Sequence, residues 1–195
     1  MNKSACSIPK PMSETIHFPF DDKKAAQVAA RLVEKKGGRL EYLHVMKMLY
    51  AIDRLALAKW GQPVIGGQYC SMNKGPVISE VLDLINGTLK RPTWSEHLQT
   101  SGINLVIRKT AGTDELSRAE ADLVDTVFVM LGNRDRWDIV AEMHDEFKEW
   151  ENPGKSSRPI KVEAILKAVG KGSLEITEIA KEAAYYNRID AALDR

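Results

Sequence analysis

LEYLHVMKMLYAIDRLALAKWGQPVIGGQYCSMNKGP, residues 40–76, is the stretch of sequence that decides the fold. Its first part, residues 40–60, predicts one helix whose apolar side chains cover more than half of its circumference. A helix of this kind is packed by neighbours on several sides, so we expect it at the centre of the protein. Its second part, from Gly61 onward, is rich in glycine and predicts turns and short strands.

Asp53 interrupts the apolar face of this helix. A buried carboxylate without a partner costs several kcal/mol or takes up a proton, so Asp53 must find donors. Lys47, Tyr50 and Arg54 border the same face, and the glycine-rich segment offers backbone N–H groups. We predict that Asp53 ties the helix to that segment. The four polar residues then form a structural network, or they line a pocket or a partner surface, and the two interpretations are compatible.

The composition argues against several classes of protein. The 28 basic residues nearly balance the 27 acidic ones, which gives a net charge of +1 and no sign of a nucleic-acid-binding surface. No apolar run approaches the roughly 20 residues that span a bilayer, and the N-terminus lacks the layout of a signal peptide. The two cysteines, Cys6 and Cys70, are interpreted as free thiols in a reducing compartment. These features predict a soluble cytoplasmic protein.

The 195 residues suit one domain. Residues 1–15 contain two prolines and show no periodicity, so they predict a flexible N-terminal arm. Residues 16–195 are expected to form the single domain.

Helical spacing and capping residues predict about seven helices. Besides the central one, they are expected from Asp21 or Asp22 to Gly37, from Gly75-Pro76 to Gly87, after the capping box of residues 117–120, from Asp135 through Trp150, over residues 161–169, and from Ser173 onward.

Strands are predicted at residues 63–65 and 68–72, and a β-hairpin is predicted from residues 95–100 and 103–109, which flank Ser101-Gly102. The second hairpin strand, which begins at Ile103, is expected to be the more buried, and residues 152–159 predict a loop. Because no strand–helix–strand repeat occurs, a parallel doubly wound sheet is excluded. The predicted fold class is α+β, mostly α-helical, with a small antiparallel β-sheet of three or four short strands.

A search for catalytic chemistry finds little. The sequence has no glycine-rich phosphate loop and no HExxH, CxxC or GxSxG motif. No histidine has a second histidine or a cysteine three or four residues later, so no metal site is predicted. The carboxylates at 142, 145, 146, 149 and 151 are interpreted as a solvated face, and His144 as a satisfied residue at the edge of the core.

The central stretch and the residues after it also carry a gapless pattern, formed by Lys47, Leu49-Tyr50, Asp53-Arg54, Gly61, Pro63, Gly66, Tyr69, Gly75-Pro76, Ser79, Val81, Asp83 and Ile85. In this pattern the sequence resembles the Panacea domain family, also described as SocA-like antitoxin domains. Later segments agree with the family, among them Asp135-Arg136-Trp137, His144 and Glu149-Trp150. The resemblance covers about residues 16–190. One departure is Leu82, which stands where the family often has tyrosine.

This resemblance implies the antitoxin of a toxin–antitoxin system, which neutralises a cognate toxin by direct protein–protein binding. Typical partners are enzymes that inhibit translation, and some members present the toxin to a protease. Members are often carried by mobile elements and prophages. The resemblance implies no cofactor, no metal and no catalytic residue.

The residues expected in the polar network or on a partner surface are Lys47, Tyr50, Asp53, Arg54, Tyr69, Lys74, Gly75 and Pro76, with weaker indications for Asp83, Trp137, His144 and Trp150. Two alternatives stay open. One is a nucleotide-sensing or enzymatic domain that uses the strip of Lys47, Tyr50, Asp53 and Arg54. The other is a DNA-binding repressor of its own operon, which the balanced charge disfavours.

Overall fold

Residues 15–193 are described by the structure, which is a computed structural model. The arm predicted for residues 1–15 therefore lies almost wholly outside the described residues, as does Cys6, while Cys70 is a free thiol. Between residues 15 and 193 the chain forms eight helices: α1 Asp22–Lys35, α2 Tyr42–Trp60, α3 Ser79–Asn86, α4 Pro92–His97, α5 Arg118–Leu131, α6 Arg136–Glu146, α7 Val162–Ala168 and α8 Ser173–Leu193.

Six short strands complete this part of the chain: β1 Arg39–Glu41, β2 Tyr69–Met72, β3 Gly75–Ile78, β4 Leu98–Ser101, β5 Asn104–Ile107 and β6 Arg158–Ile160. They form two antiparallel sheets with the orders β1-β5-β4 and β3-β2-β6. The predicted class, α+β and mostly helical, is confirmed. There are two small sheets instead of one because β1 and β6 each pair over only three residues, too few to show a period in the sequence.

Helix α2 lies at the centre of the fold, as the sequence predicted. Eleven of its 19 residues are buried, and it packs against α1, α5, α6, α7 and β3. Gly61 ends it in a left-handed conformation, with φ of 74°, and donates its N–H to the carbonyl oxygen of Leu57. A helix buried on so many sides contributes to the core on each of them.

Three predictions about secondary structure, at residues 63–65, 75–76 and 152–159, are wrong in whole or in part. Residues 63–65 form no strand, because the amides of Val64 and Ile65 donate to a side chain of α2. Gly75 and Pro76 do not open a helix; they belong to β3 and pair with β2, so α3 begins only at Ser79. The loop predicted over residues 152–159 ends in β6, which pairs with β2.

Two helix boundaries also differ from expectation. Residues 95–97, predicted as part of the hairpin, form the end of α4, which has Pro92 in its first turn. Helix α6 stops at Glu146, and the chain then turns, with the amide of Trp150 donating to the carbonyl oxygen of Phe147 at 2.8 Å. The residues after Glu146 therefore do not continue the helical face that the sequence predicted.

Capping and hairpin predictions are confirmed. Ser117 and Glu120 form the capping box of α5, and the Asp135 side chain caps α6. Strands β4 and β5 form the hairpin, with β5 in the middle of its sheet. No helix in the part of the chain described here combines the length and the apolar character that a membrane crossing requires.

The segment after α2 is held against the residues that precede α1. The amide of Gly67 donates to the carbonyl oxygen of Phe18, and the amide of Asp21 donates to that of Ile65, both at 2.9 Å. Gly66 has φ of 72°, and a Cβ atom there would overlap the carbonyl oxygen of Pro19. Glycine is therefore required at position 66 by its backbone conformation and by the close approach of another segment.

Gly66→Ala is expected to lower the free energy of unfolding by about 3 kcal/mol, because a left-handed alanine is strained and its methyl group collides with backbone. Gly87→Ala is the matched control: Gly87 has a similar φ of 77° but open space around its Cβ position. We expect the control to lose about 1 kcal/mol. Urea unfolding followed by circular dichroism measures both, and equal losses in the two variants would contradict this account.

Candidate functional site

The carboxylate of Asp53 is fully buried and accepts four hydrogen bonds. Oδ1 accepts from the amides of Val64 at 2.9 Å and Ile65 at 2.8 Å, and Oδ2 accepts from the amide of Gly66 and the hydroxyl of Tyr69, both at 2.9 Å. The predicted tie between Asp53 and the glycine-rich segment is therefore present. Three successive amides converging on one anion form a compact nest.

Burial raises the pKa of Asp53 to about 6, against the opposing effect of its four hydrogen bonds. The side chain is therefore ionised at neutral pH. An ionised carboxylate out of water is tolerated because every donor around it points at its oxygen atoms.

The other three residues of the strip do not bind Asp53. The Lys47 amine donates to the carbonyl oxygen of Pro76 at 2.8 Å. Arg54 Nε donates to Glu149 Oε1 at 2.7 Å, and the Tyr50 hydroxyl donates to the same oxygen at 3.1 Å. Each side chain therefore ties α2 to a different part of the chain, and the remaining donor to Asp53 is Tyr69.

Glu149 is a site residue that the sequence interpretation misplaced. It was grouped with the solvated carboxylates, but its side chain is wholly buried against Arg54. The error follows from the end of α6 at Glu146, since residue 149 lies in the turn after the helix and not on its outer face. The Arg54 guanidinium also stacks on the Phe147 ring, 4.1 Å from its centroid. The helical spacing of apolar residues gives no indication that Arg54 and Glu149 pair.

His144 and Trp150 stack on each other, with ring centroids 3.9 Å apart and an interplanar angle of 12°. Trp150 Nε1 donates to the carbonyl oxygen of Met72 at 3.0 Å, which fixes the turn between β2 and β3. His144 lies at the edge of the core, as predicted, and its buried Nε2 has no hydrogen-bond partner among residues 15–193. Burial and the nearby Lys47 lower the pKa of His144.

Lys47 is a completely buried lysine. Burial, with a smaller contribution from Lys74, lowers its pKa to about 7. Gly75 makes room for the amine, because a Cβ atom at that position would lie 3.1 Å from Lys47 Nζ. The left-handed φ of 92° at Gly75 also closes the turn of the β2–β3 hairpin.

A surface groove of about 380 Å³, here called the α2–α6 groove, has the buried Lys47 in its wall. It is bordered by the starts of α2 and α6, the turn between β2 and β3, one side of α3 and the turn of the β4–β5 hairpin. Trp137 and Ile103 stand on it with 47% and 55% of their surfaces exposed. Ile103 was expected in a buried strand, but it lies in the hairpin turn before β5 begins.

Two cations flank the exposed indole of this groove. Lys74 Nζ and Arg136 Cζ each lie 5.2 Å from the ring centroid of Trp137. Arg136 also forms an ion pair with Glu41. Such cation–aromatic contacts orient the indole without burying it.

The expected site residues therefore lie in several separate places, in addition to the stacked pair of His144 and Trp150. Lys47, Lys74 and Trp137 line the α2–α6 groove. The buried members of the network are Tyr50, Asp53, Tyr69, Gly75 and Pro76. Arg54 borders a separate cleft beside Phe147, and Asp83 accepts a hydrogen bond from Thr88 at the end of α3.

Sequence reasoning missed Glu41, Arg136 and Ile103 as groove residues, because they come from elements far apart in the chain. Within the described part of the chain, no group of three or more histidine, cysteine, aspartate or glutamate side chains is arranged to hold a metal ion.

Comparison with protein families gives one match. The model of the family described as antitoxin SocA-like, Panacea domain, matches residues 45–151. This range runs from the first turn of α2 to the residue after Trp150, so it contains the Asp53 network, Glu149 and most of the α2–α6 groove. No curated protein and no solved structure matches the chain.

Asp53→Asn is expected to lower the free energy of unfolding by about 3 kcal/mol. The NH₂ group of the asparagine faces N–H and O–H donors, and its single oxygen cannot accept all four hydrogen bonds. Asp122→Asn, at an exposed aspartate of α5, serves as the control and should stay within about 0.5 kcal/mol of the original protein. The measurement is the urea midpoint of each variant. A stable Asp53→Asn protein would show that the nest does not need the charge.

Lys47→Met is expected to change the pH dependence of stability. The unfolded chain holds the Lys47 proton up to its ordinary pKa of 10.5, whereas the folded chain releases it above about 7. Stability of the original protein should therefore rise with pH between these values, by about 1 kcal/mol per pH unit relative to the variant.

Urea unfolding of both proteins from pH 7.5 to 9.5 measures this difference, and Lys59→Met, at an exposed lysine of the same helix, is the control. If the difference between Lys47→Met and the original protein does not vary with pH, Lys47 titrates normally.

Proposed function

Because the chain belongs to the antitoxin SocA-like, Panacea domain family, we propose that it neutralises a cognate toxin by binding it directly. The expected partner is an enzyme that inhibits translation, met in the cytoplasm. Binding to the α2–α6 groove blocks the toxin or holds it in an inactive form. By the same binding, the chain acts as an adaptor that presents the toxin to a protease. Co-expression of the chain then shortens the lifetime of the toxin.

The observation that carries this proposal is the exposed apolar surface of the groove. Trp137 and Ile103 leave about half of their surfaces open to solvent, next to the half-buried side chains of Met72 and Leu82. A large aromatic side chain in a cleft is the kind of anchor that dominates the binding energy of protein interfaces. Contiguous apolar surface at such a place supports a protein-binding site.

The groove is also held rigidly. Lys47 binds the carbonyl oxygen of Pro76 in β3, and Trp150 binds that of Met72 at the end of β2, so both sides of the hairpin turn are fixed. The ion pair between Arg136 and Glu41 joins the start of α6 to β1. A surface that is already ordered loses little conformational freedom when a partner binds, which favours affinity.

The two alternatives gain no support from the geometry. Lys47 and Arg54 border different clefts, and Tyr50 and Asp53 line neither of them, so the strip forms no common pocket for a nucleotide or substrate. The net charge of +1 provides no general electrostatic attraction to the phosphates of DNA.

The test is co-expression with the product of the adjacent gene. We expect that product to arrest growth when it is expressed by itself. When this chain is co-expressed, we expect the cells to grow and the two proteins to co-purify. Trp137→Ala should weaken binding about tenfold or more. Tyr185→Ala, at a similarly exposed aromatic residue of α8 outside the groove, is the control and should bind normally. A neighbour that is harmless, or that is toxic but does not bind, would refute the proposal.

A further inference from the structure

Of the four basic or acidic residues that line the α2–α6 groove, three are basic. Lys47, Lys74 and Arg136 are basic, and Glu41 is the acidic residue of the lining. Glu41 is already paired with Arg136. Lys47 is buried, its pKa is lowered to about 7 and its amine donates to the carbonyl oxygen of Pro76, so the positive charge that the groove presents to a partner is that of Lys74.

Lys74 is the cation that the groove leaves available. Its side chain is exposed in the turn between β2 and β3, and it forms no salt bridge with any residue from 15 to 193. Its amine lies over the Trp137 ring, directly beside the exposed apolar surface. A ligand that covers Trp137 therefore meets a positive charge at the edge of the ring.

The apolar part of the lining is adaptable. Two methionines, Met46 and Met72, and the branched side chains of Val77 and Leu82 form it together with Ile103. Methionine side chains adjust to irregular apolar partners more easily than rigid ones do. This surface suits aliphatic or aromatic side chains of a protein segment.

We propose that the groove holds an apolar segment of the partner protein that carries carboxylates next to its apolar side chains. The apolar side chains cover Trp137 and Ile103, and a carboxylate pairs with Lys74. This inference rests on the proposed function, since it names the chemistry of the toxin segment that the site binds.

A free nucleotide fits the groove less well. The start of α6 borders the groove, but the carboxylate of Asp135 already caps it, with Oδ1 accepting from the amide of Trp137 at 2.8 Å. A phosphate group would meet that carboxylate instead of free amides, although helix starts bind phosphates when their amides are open. One available lysine is also a weak basis for holding several phosphate charges.

The test uses a phage library of random peptides selected on the full chain, followed by fluorescence-anisotropy titration of the enriched peptides. We expect enriched sequences to combine apolar residues with aspartate or glutamate. Their affinity should fall about tenfold in Lys74→Glu and about threefold in Lys74→Met, since reversal adds repulsion to the loss of attraction. Trp137→Ala should also weaken binding about tenfold.

Lys155→Glu is the matched control, because Lys155 is an exposed lysine outside the groove. Its affinity for the peptides should change by less than about twofold. Circular dichroism melting of each variant shows that it is folded.

The proposal is overturned if no peptide is enriched, if the enriched peptides are basic or neutral, if Lys74→Glu binds as well as the original protein, or if ATP or GTP displaces the peptides. Co-expression with the product of the adjacent gene distinguishes a failure of the acidic-segment proposal from a failure of the proposed antitoxin function. Neutralisation that is lost in Trp137→Ala but intact in Lys74→Glu keeps the antitoxin role and removes the acidic segment. Acidic peptides that bind as expected, beside a harmless neighbouring gene product, remove the antitoxin role and keep the groove chemistry.

Discussion

Asp53 places a charged carboxylate in the interior of α2, where water cannot reach it, and the surrounding structure depends on how that charge is satisfied. Three of its four donors are the successive amides of residues 64–66, so these hydrogen bonds set the backbone course of the segment after α2. That path puts Gly66 in a left-handed conformation against the backbone of Pro19. One buried charge therefore orders the segment that follows the helix and the segment that precedes α1.

Other polar side chains of α2 fix two further parts of the fold. Lys47 holds β3, and Arg54 and Tyr50 together hold Glu149 in the turn after α6. Buried polar groups of this kind stabilise only when each finds a partner, and they then specify one arrangement of the elements. The groove is a consequence of that arrangement, because its borders come from elements whose positions these ties set. The polar contacts lie inside, and the exposed apolar side chains of Trp137 and Ile103 lie outside.

Local patterns in the sequence were sufficient for much of the fold. The apolar spacing of α2, the capping box of α5 and the β4–β5 hairpin are decided by neighbours a few residues apart, so they were predicted correctly. The tie between Asp53 and residues 64–66 was also predictable, because the donors follow within 13 residues and an unpartnered carboxylate in an apolar helix is not tolerated. Short strands such as β1 and β6 left no pattern, since three residues carry no measurable period.

By itself, then, the sequence determined a central helix, a buried acid that binds the next segment, and a mostly helical α+β class. Only the tertiary structure decided that Glu149 is the partner of Arg54, 95 residues earlier in the chain. It also decided that Trp137, Ile103 and Lys74 meet in one groove. The physical reason is that sequence periodicity shows which polar side chains will be buried and therefore need a hydrogen-bond partner, whereas the packing of distant elements determines which partner each one finds.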